Sequence, residues 1–331
     1  MSRWHLVTED FPPGFIGGIA SWAEDLGRAL ADHGESVLVH ARRTGDTRAH
    51  DDGLPVEVRR VRGRHWSRWG ERWVQLSLSG TLTSGDRVVV ASWRLATACH
   101  SMVRRREATL GLVFHGSDLT QLAFGPPRLH RVVGVAQALL PVSGFLAKEL
   151  QRLGLVNQGD PRVRVLPIPL PERPRARGGS GLVCVARPTP LKGIDRARSL
   201  AHALGLPLRL VGPGPEDGGT GPLDRTQTRA EMARAAAAVL LPRPDEAGRG
   251  AEGLGISLLE AAAMGLPVIG CSTGGVPEAV GPGLLVDPDA PDLDAVRALL
   301  ADPQAGRTAQ AWVRAHHGAA QAVGALREAL S

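Results

Sequence analysis

Two glutamates, Glu252 and Glu260, bracket the most informative stretch of the 331-residue chain, GAEGLGISLLEAAAMGLPVIGCSTGGVPE over 250–278. Ile256–Met264 is apolar on nearly every side and reads as a buried helix, stopped by Gly265 and Pro267. Glu260 is the one charge in it. A buried carboxylate needs a partner, either an ion-pairing side chain or a ligand. Just ahead, Gly253-Leu254-Gly255-Ile256 offers bare backbone N–H groups at the positive end of the helix dipole, a place to hold an anion. Glu252 stands at the mouth of the same loop. Two carboxylates flanking an anion-binding helix start suit a ligand with hydroxyls at both ends and phosphate between, as in a nucleotide-sugar.

Other residues offer matching chemistry. Arg187 closes an apolar run and is followed by Lys192-Gly193 at the next helix start. Two cations there suit a diphosphate leaving group. Lys148 and Lys192 are the only lysines in an arginine-rich chain, so a lysine at this turn is not explained by composition. Gly17-Gly18 lies between the first apolar run and the first helix, where the backbone can approach a phosphate or sugar. Gly212-Pro213-Gly214 follows another run, and a simple turn explains it equally well. His115 ends the run Leu110–Phe114 and faces a strand's carboxyl end. Asp118 can cap a helix, and Ser143 ends a later run. Arg59, Arg60, Arg62, Arg64, Arg68 and Arg72 interleave with Trp66, Trp69 and Trp73. Segment 59–73 offers peripheral contact with an anionic membrane, a phosphorylated acceptor or sugar rings, or else packs its tryptophans inward.

The pattern E-G-x-G-x-S-x-x-E-A-x-A-x-G-x-P-V-I followed by G-G-x-P-E resembles the signature of the retaining glycosyltransferases of family 4. Glu252 and Glu260 fill the two ends of that family's E-x7-E motif. The resemblance is strong over most of the second half and loose over the first. It implies a GT-B fold and transfer of a sugar from a nucleotide-diphosphate-sugar to an acceptor hydroxyl, on a small bacterial metabolite or a glycan. It implies that Glu252 orients the sugar hydroxyls and Glu260 holds the ribose. Arg187 and Lys192 then stabilise the diphosphate, and His115 contacts the transferred sugar. Gly17 and Gly18 face the phosphates, and the base packs near Gly212. Neither metal nor cofactor is expected. Two alternatives stand beside it: an epimerase or hydrolase on the same fold, and a catalytically silent binding protein.

Elements able to hold these residues are legible in the alternation of apolar runs. Strands are expected at Trp4–Val7, Val37–His40, Val56–Val61, Val88–Ala91, Leu110–Phe114 and Leu139–Val142, with helices at Ile19–Ala31, Trp93–Arg104 and Phe145–Leu153. A second set has strands at Leu182–Ala186, Leu208–Val211, Val239–Pro242, Val268–Cys271 and Leu284–Val286. Its helices are Ile194–Leu204, Arg229–Ala237, Ile256–Met264 and Leu293–Leu300. This predicts an α/β chain of two doubly wound, Rossmann-like domains facing a central cleft. The expected boundaries are 1–166, a Pro/Gly/Arg-rich linker at 167–181, a nucleotide-sugar domain at 182–310, and a C-terminal helix at 311–331. By the resemblance, that helix returns to the first domain. Residues 215–224, rich in Asp, Gly and Pro, read as a mobile segment.

Composition narrows the classes. With 43% hydrophobic and 22% charged residues the chain reads as soluble and globular. No apolar run reaches the length of a membrane span, and the start MSRWHLVTEDF has too short an apolar core for a signal peptide. Cys99, Cys184 and Cys271 sit far apart in apolar segments, as buried thiols of a reducing, cytoplasmic compartment. The net charge of +6 is almost all arginine in an Ala/Gly-rich chain, so it does not point to nucleic acid. His316-His317 lacks companions at metal-ligand spacing.

Overall fold

Strand β1 (Trp4–Thr8) is buried along its whole length, as the centre of a parallel sheet must be. The computed structural model describes residues 2–15, 17–62, 72–116, 127–176, 178–244 and 251–331. The chain divides into two units, Met1–Pro171 with Ala319–Ser331, and Glu172–Gly318.

Around β1 the first unit sets β2 (Val37–Arg42), β3 (Glu57–Val61), β4 (Arg87–Val90), β5 (Thr109–Phe114) and β6 (Ala138–Pro141). Its helices are α1 (Gly18–Asp32), α2 (Arg48–Asp52), α3 (Arg72–Leu78), α4 (Trp93–Arg105), α5 (Pro127–Val135) and α6 (Gly144–Arg152). The parallel order is β3-β2-β1-β4-β5-β6. It reverses between β1 and β4, and sheets of this kind bind ligands outside the carboxyl ends at such a reversal. Gly17-Gly18 follows β1 there, and Ser92 follows β4. Leu6, Val7, Leu38, Val89 and Leu112 form the apolar centre. Through it runs a buried polar chain. His5 Nδ1 lies 2.9 Å from His40 Nε2, His5 Nε2 lies 3.2 Å from Asp86, and His40 Nδ1 lies 2.7 Å from Ser77 Oγ.

The second unit holds β7 (Leu182–Val185), β8 (Leu208–Val211), β9 (Ala237–Val239), β10 (Val268–Gly270) and β11 (Leu284–Leu285). They lie parallel in the order β11-β10-β9-β7-β8, reversing between β7 and β9. Its helices are α7 (Ile194–Leu204), α8 (Arg225–Met232), α9 (Ile256–Ala263), α10 (Val276–Val280), α11 (Leu293–Ala301) and α12 (Ala305–His316). The last helix, α13 (Ala319–Ala329), belongs to the first unit and packs on α1. There Arg327 pairs with Glu35, which also accepts from Trp4 Nε1 at 3.0 Å. Arg87 Nε donates to the Leu330 carbonyl at 3.1 Å.

Both sheets are doubly wound and parallel, as the alternation of runs implies, but several elements differ from expectation. The helix expected at Arg229–Ala237 lies earlier, because Asp224 and Gln227 form a capping box that starts α8 at Arg225. Ala237 is instead the first residue of β9. The C-terminal segment expected as one helix over 311–331 is divided between two, broken at His317-Gly318. Residues 215–224 include a 3₁₀ turn at Pro215–Asp217 and end on the Asp224 cap. The unit boundary, Pro171–Glu172, falls inside the 167–181 segment, and Ile168 and Leu170 on its first-unit side are buried.

Candidate functional site

In the second unit the sequence-singled residues gather on the two strands that flank the reversal. After β7, Arg187 is exposed, and no other described side chain pairs with it. A 3₁₀ turn, Pro190–Lys192, follows, with Gly193 at φ 61°. A Cβ on Gly193 would sit 1.8 Å from the Leu241 carbonyl oxygen, so only glycine lets this turn lie against the end of β9. That close approach aims Lys192 at the loop after β9. Its Nζ donates to the Glu252 carboxylate, with the two side chains 24% and 13% exposed.

The Glu252 loop is held from the far side. The Gly275 N–H donates to the Glu252 carbonyl at 2.8 Å, and a Cβ on Gly275 would stand 2.1 Å from the Gly253 carbonyl. The Gly-Gly of the motif is therefore the bed on which residues 252–253 rest. Gly253 and Leu254 are buried, Gly255 is the N-cap of α9, and Ile256 is its first residue. The N-cap of α9 is a glycine that makes no side-chain cap bond, whereas α8 and α11 are capped by Asp224 and Asp292, and in the first turn of α7 the Asp195 carboxylate accepts from its own N–H and that of Arg196. The glycine-capped helix start after β9 is of the kind that can meet an anionic ligand.

Glu260 is half-buried, not fully enclosed in an apolar helix. Its carboxylate lies 3.9 Å from Arg225 Nε, with side chains 18% and 21% exposed. Arg225 was missed from sequence because the helix was placed four residues late; the Asp224-x-x-Gln227 box was the signal that marks its start. Gly212 follows β8, and its N–H donates to the Gly221 carbonyl at 3.1 Å.

In the first unit, Gly17 caps α1 without a side-chain hydrogen bond, and Gly18 begins the helix. His115 follows β5 with both ring nitrogens buried, and burial pushes its pKa down to about 3. Trp22 of α1 meets it edge-on, ring centroids 4.5 Å apart at 74°. Ser143 Oγ accepts from the Leu146 N–H at 3.1 Å and caps α6. In the basic tryptophan segment, Trp73 is buried, and Arg60 is taken by Asp51. These two are packing residues, not a membrane or sugar contact. Gly250, Arg64, Trp66, Arg68, Trp69, Ser117 and Asp118 lie outside the described residues. Cys99, Cys184 and Cys271 are buried thiols, and burial pushes the first two up to about 12. Among the described residues no group of three or more His, Cys, Asp or Glu could hold a metal ion, and no helix is long and apolar enough to cross a membrane.

The chain and its fold have counterparts among known proteins. Residues 196–302 match the family described as Glycosyl transferases group 1. The chain is 28% identical, over 95% of its length and 94% of the relative's, to a GDP-mannose-dependent alpha-(1-6)-phosphatidylinositol monomannoside mannosyltransferase of Mycobacterium tuberculosis. Among solved structures, HepE of Anabaena in complex with UDP and glucose matches with a TM-score of 0.73 at 14% identity, over 100% of this chain and 99% of that one. Sucrose-phosphate synthase of Thermosynechococcus elongatus matches with a TM-score of 0.73 at 16% identity, over 99% and 98%. The fold is that of the GT-B glycosyltransferases, and the family match and the relative support a glycosyltransferase.

Proposed function

We propose that this chain is a retaining glycosyltransferase that moves a sugar from a nucleotide-diphosphate-sugar to an acceptor hydroxyl. The observation that carries the reading is the Lys192–Glu252 contact, which joins the turn after β7 to the glycine-rich loop at the uncapped start of α9. A cation, a carboxylate and the backbone N–H groups of a helix start at a sheet reversal are what a sugar diphosphate needs.

The bond between the sugar's anomeric carbon and the β-phosphate oxygen breaks, its electron pair staying on the phosphate. Arg187, Lys192 and the N–H groups of 253–256 meet the charge that builds there. Glu252 orients the sugar hydroxyls, and Glu260 accepts from the ribose, with Arg225 beside its carboxylate. Gly212 borders the base. His115 and the Gly17-Gly18 loop serve the same donor, by the family resemblance. The acceptor oxygen bonds to the anomeric carbon on the face the phosphate leaves, and its proton passes to the leaving phosphate. No metal is required.

The M. tuberculosis relative makes GDP-mannose the first donor to try, and the UDP complexes of HepE make UDP-glucose the second. The acceptor is sought among small metabolites, glycans and phosphoinositide lipids. The test incubates the chain with each donor, with and without acceptors, and follows nucleoside diphosphate by chromatography. Release that depends on acceptor, with an α-linked product from an α-linked donor by NMR, is the expected result. Epimerised donor, or binding without turnover across the panel, overturns the reading.

A further inference from the structure

One residue that neither the sequence motif nor the proposed mechanism uses packs against His115. Trp22 lies one turn into α1, 1% exposed, and its ring meets the imidazole at 74° with 4.5 Å between centroids. Such a separation and angle are those of edge-to-face packing. A rotation of the imidazole would drive one ring into the other, so the contact restricts the histidine's side-chain torsion. The indole Nε1 is itself buried and has no hydrogen-bond partner among the described residues. Tryptophan is a costly residue to place where its N–H goes unpaired, because burying that group without a bond is unfavourable. Leucine or phenylalanine would fill a purely structural position on α1 without that cost. The residue is therefore explained by its shape against His115.

We propose that Trp22 is a positioning residue for His115: its indole fixes the orientation of the imidazole at the carboxyl end of β5 and keeps water from the ring. The inference rests on the glycosyltransferase reading, in which His115 contacts the transferred sugar. Because α1 begins at Gly17-Gly18, the same helix that presents the glycine loop also sets the histidine. Burial is the cause of the depressed pKa of His115. Charged groups stand on the elements around it. On α1, Glu24 pairs with Arg28 and His50, and Asp25 is buried. After β4, Arg94 lies 5.4 Å from the Trp93 ring centroid. Water admitted beside His115 would let the ring take a proton near its ordinary value, about 6.5.

The experiment uses the full chain with Trp22→Ala, Trp22→Phe, His115→Ala and the double variant Trp22→Ala/His115→Ala. Two readouts are taken: the histidine ring signals by NMR between pH 5 and 8, and donor turnover over the same range. In the unsubstituted protein the His115 ring should not titrate. In Trp22→Ala it should titrate near pH 6–6.5, turnover should gain an acidic limb at the same midpoint, and kcat should fall more than KM rises. Trp22→Phe, which keeps a ring edge, should restore both to within about threefold, and the double variant should lose the limb. If Trp22→Ala does not fold, Trp22→Leu, which keeps apolar volume but not the ring, carries the same expectation. Unchanged titration and an unchanged profile in the Ala or Leu variant overturn the positioning role. Unchanged turnover in His115→Ala overturns the catalytic reading on which it rests, whatever the NMR shows.

Discussion

The ammonium of Lys192 donates to the carboxylate of Glu252, a residue 60 positions further along the chain. The contact ties the diphosphate side of the proposed mechanism to the sugar side. It also means that neither group acts alone: each sets where the other sits and how much charge it offers a ligand. Lys192→Ala should lower turnover by about a hundredfold or more, the loss typical of one preorganised charge-stabilising group. Lys192→Ala and Glu252→Ala should be non-additive, coupled by about 0.5–3 kcal/mol in kcat/KM. Kinetics on the two single variants and the double variant measure that coupling. Simple multiplication of the two losses would show that the pair is incidental.

Arg187 stands differently. Its side chain is exposed and is not paired with any other described side chain. The guanidinium is therefore available to a diphosphate without breaking an existing contact. Charge-assisted bonds are worth about 1.5–3 kcal/mol, so Arg187→Ala should weaken nucleoside diphosphate binding by about 10- to 100-fold. An exposed arginine with no partner contributes little to folding, so the melting temperature should stay put. Calorimetry and a thermal melt on one preparation check both. Normal affinity removes Arg187 from the donor site.

Glu260 now has a protein partner as well as a proposed ligand. Glu260→Gln keeps the shape and loses the charge, so nucleotide binding should weaken by about 10- to 100-fold. The Arg225 pair is loose and partly exposed, and such pairs are worth about 1 kcal/mol or less. Stability should therefore change only slightly. A large fall in melting temperature with normal nucleotide affinity would sink the ribose assignment and leave a structural ion pair.

The sequence showed the strands well because each is a short apolar run closed by a turn, and parallel strands are buried on both faces. It also showed the stretch from Glu252 to Glu278, where glycine, proline and two carboxylates stand at fixed offsets. Contacts between distant turns were not legible. Nothing in R-x4-K-G says that Lys192 will meet Glu252, because that depends on Gly193 lying against the end of β9. Arg225 was hidden by a misplaced helix start. The alanine-rich stretch from Ala233 to Ala238, interrupted by Arg234, suits a helix by propensity, yet pairing with β7 and β10 makes its end a strand. Trp22 looked like one more apolar position on α1, since periodicity says which face a residue takes and not which ring it meets.

The buried chain Ser77–His40–His5–Asp86 makes the first unit sensitive to acid. Burial, chiefly, and the neighbouring His5 push the His40 pKa down to about 3, and burial lowers His5 as well. An unfolded histidine titrates near 6.5. Between those values the unfolded chain binds a proton that the folded chain refuses. The stability from His40 is therefore fully present above about pH 6.5 and is lost as the pH falls toward 3, by about 1.4 kcal/mol per pH unit, and the lowered His5 adds a loss of the same sign. Asp86, held low by hydrogen bonds from Arg3, Thr83 and His5 against the opposing effect of burial, adds its own loss below the usual carboxylate range. Of the seven tryptophans only Trp312 belongs to the second unit, so tryptophan fluorescence follows chiefly the first. Urea unfolding at pH 7.5 and pH 5.0 should show about 2 kcal/mol less stability at the lower pH from His40 alone. His40→Leu strands Ser77 Oγ and His5 Nδ1, which should cost about 1–3 kcal/mol at neutral pH. It also removes the titrating ring, so the difference between the two pH values should shrink by about 2 kcal/mol. An equal pH dependence in His40→Leu and the unsubstituted protein would show that the acid sensitivity arises elsewhere.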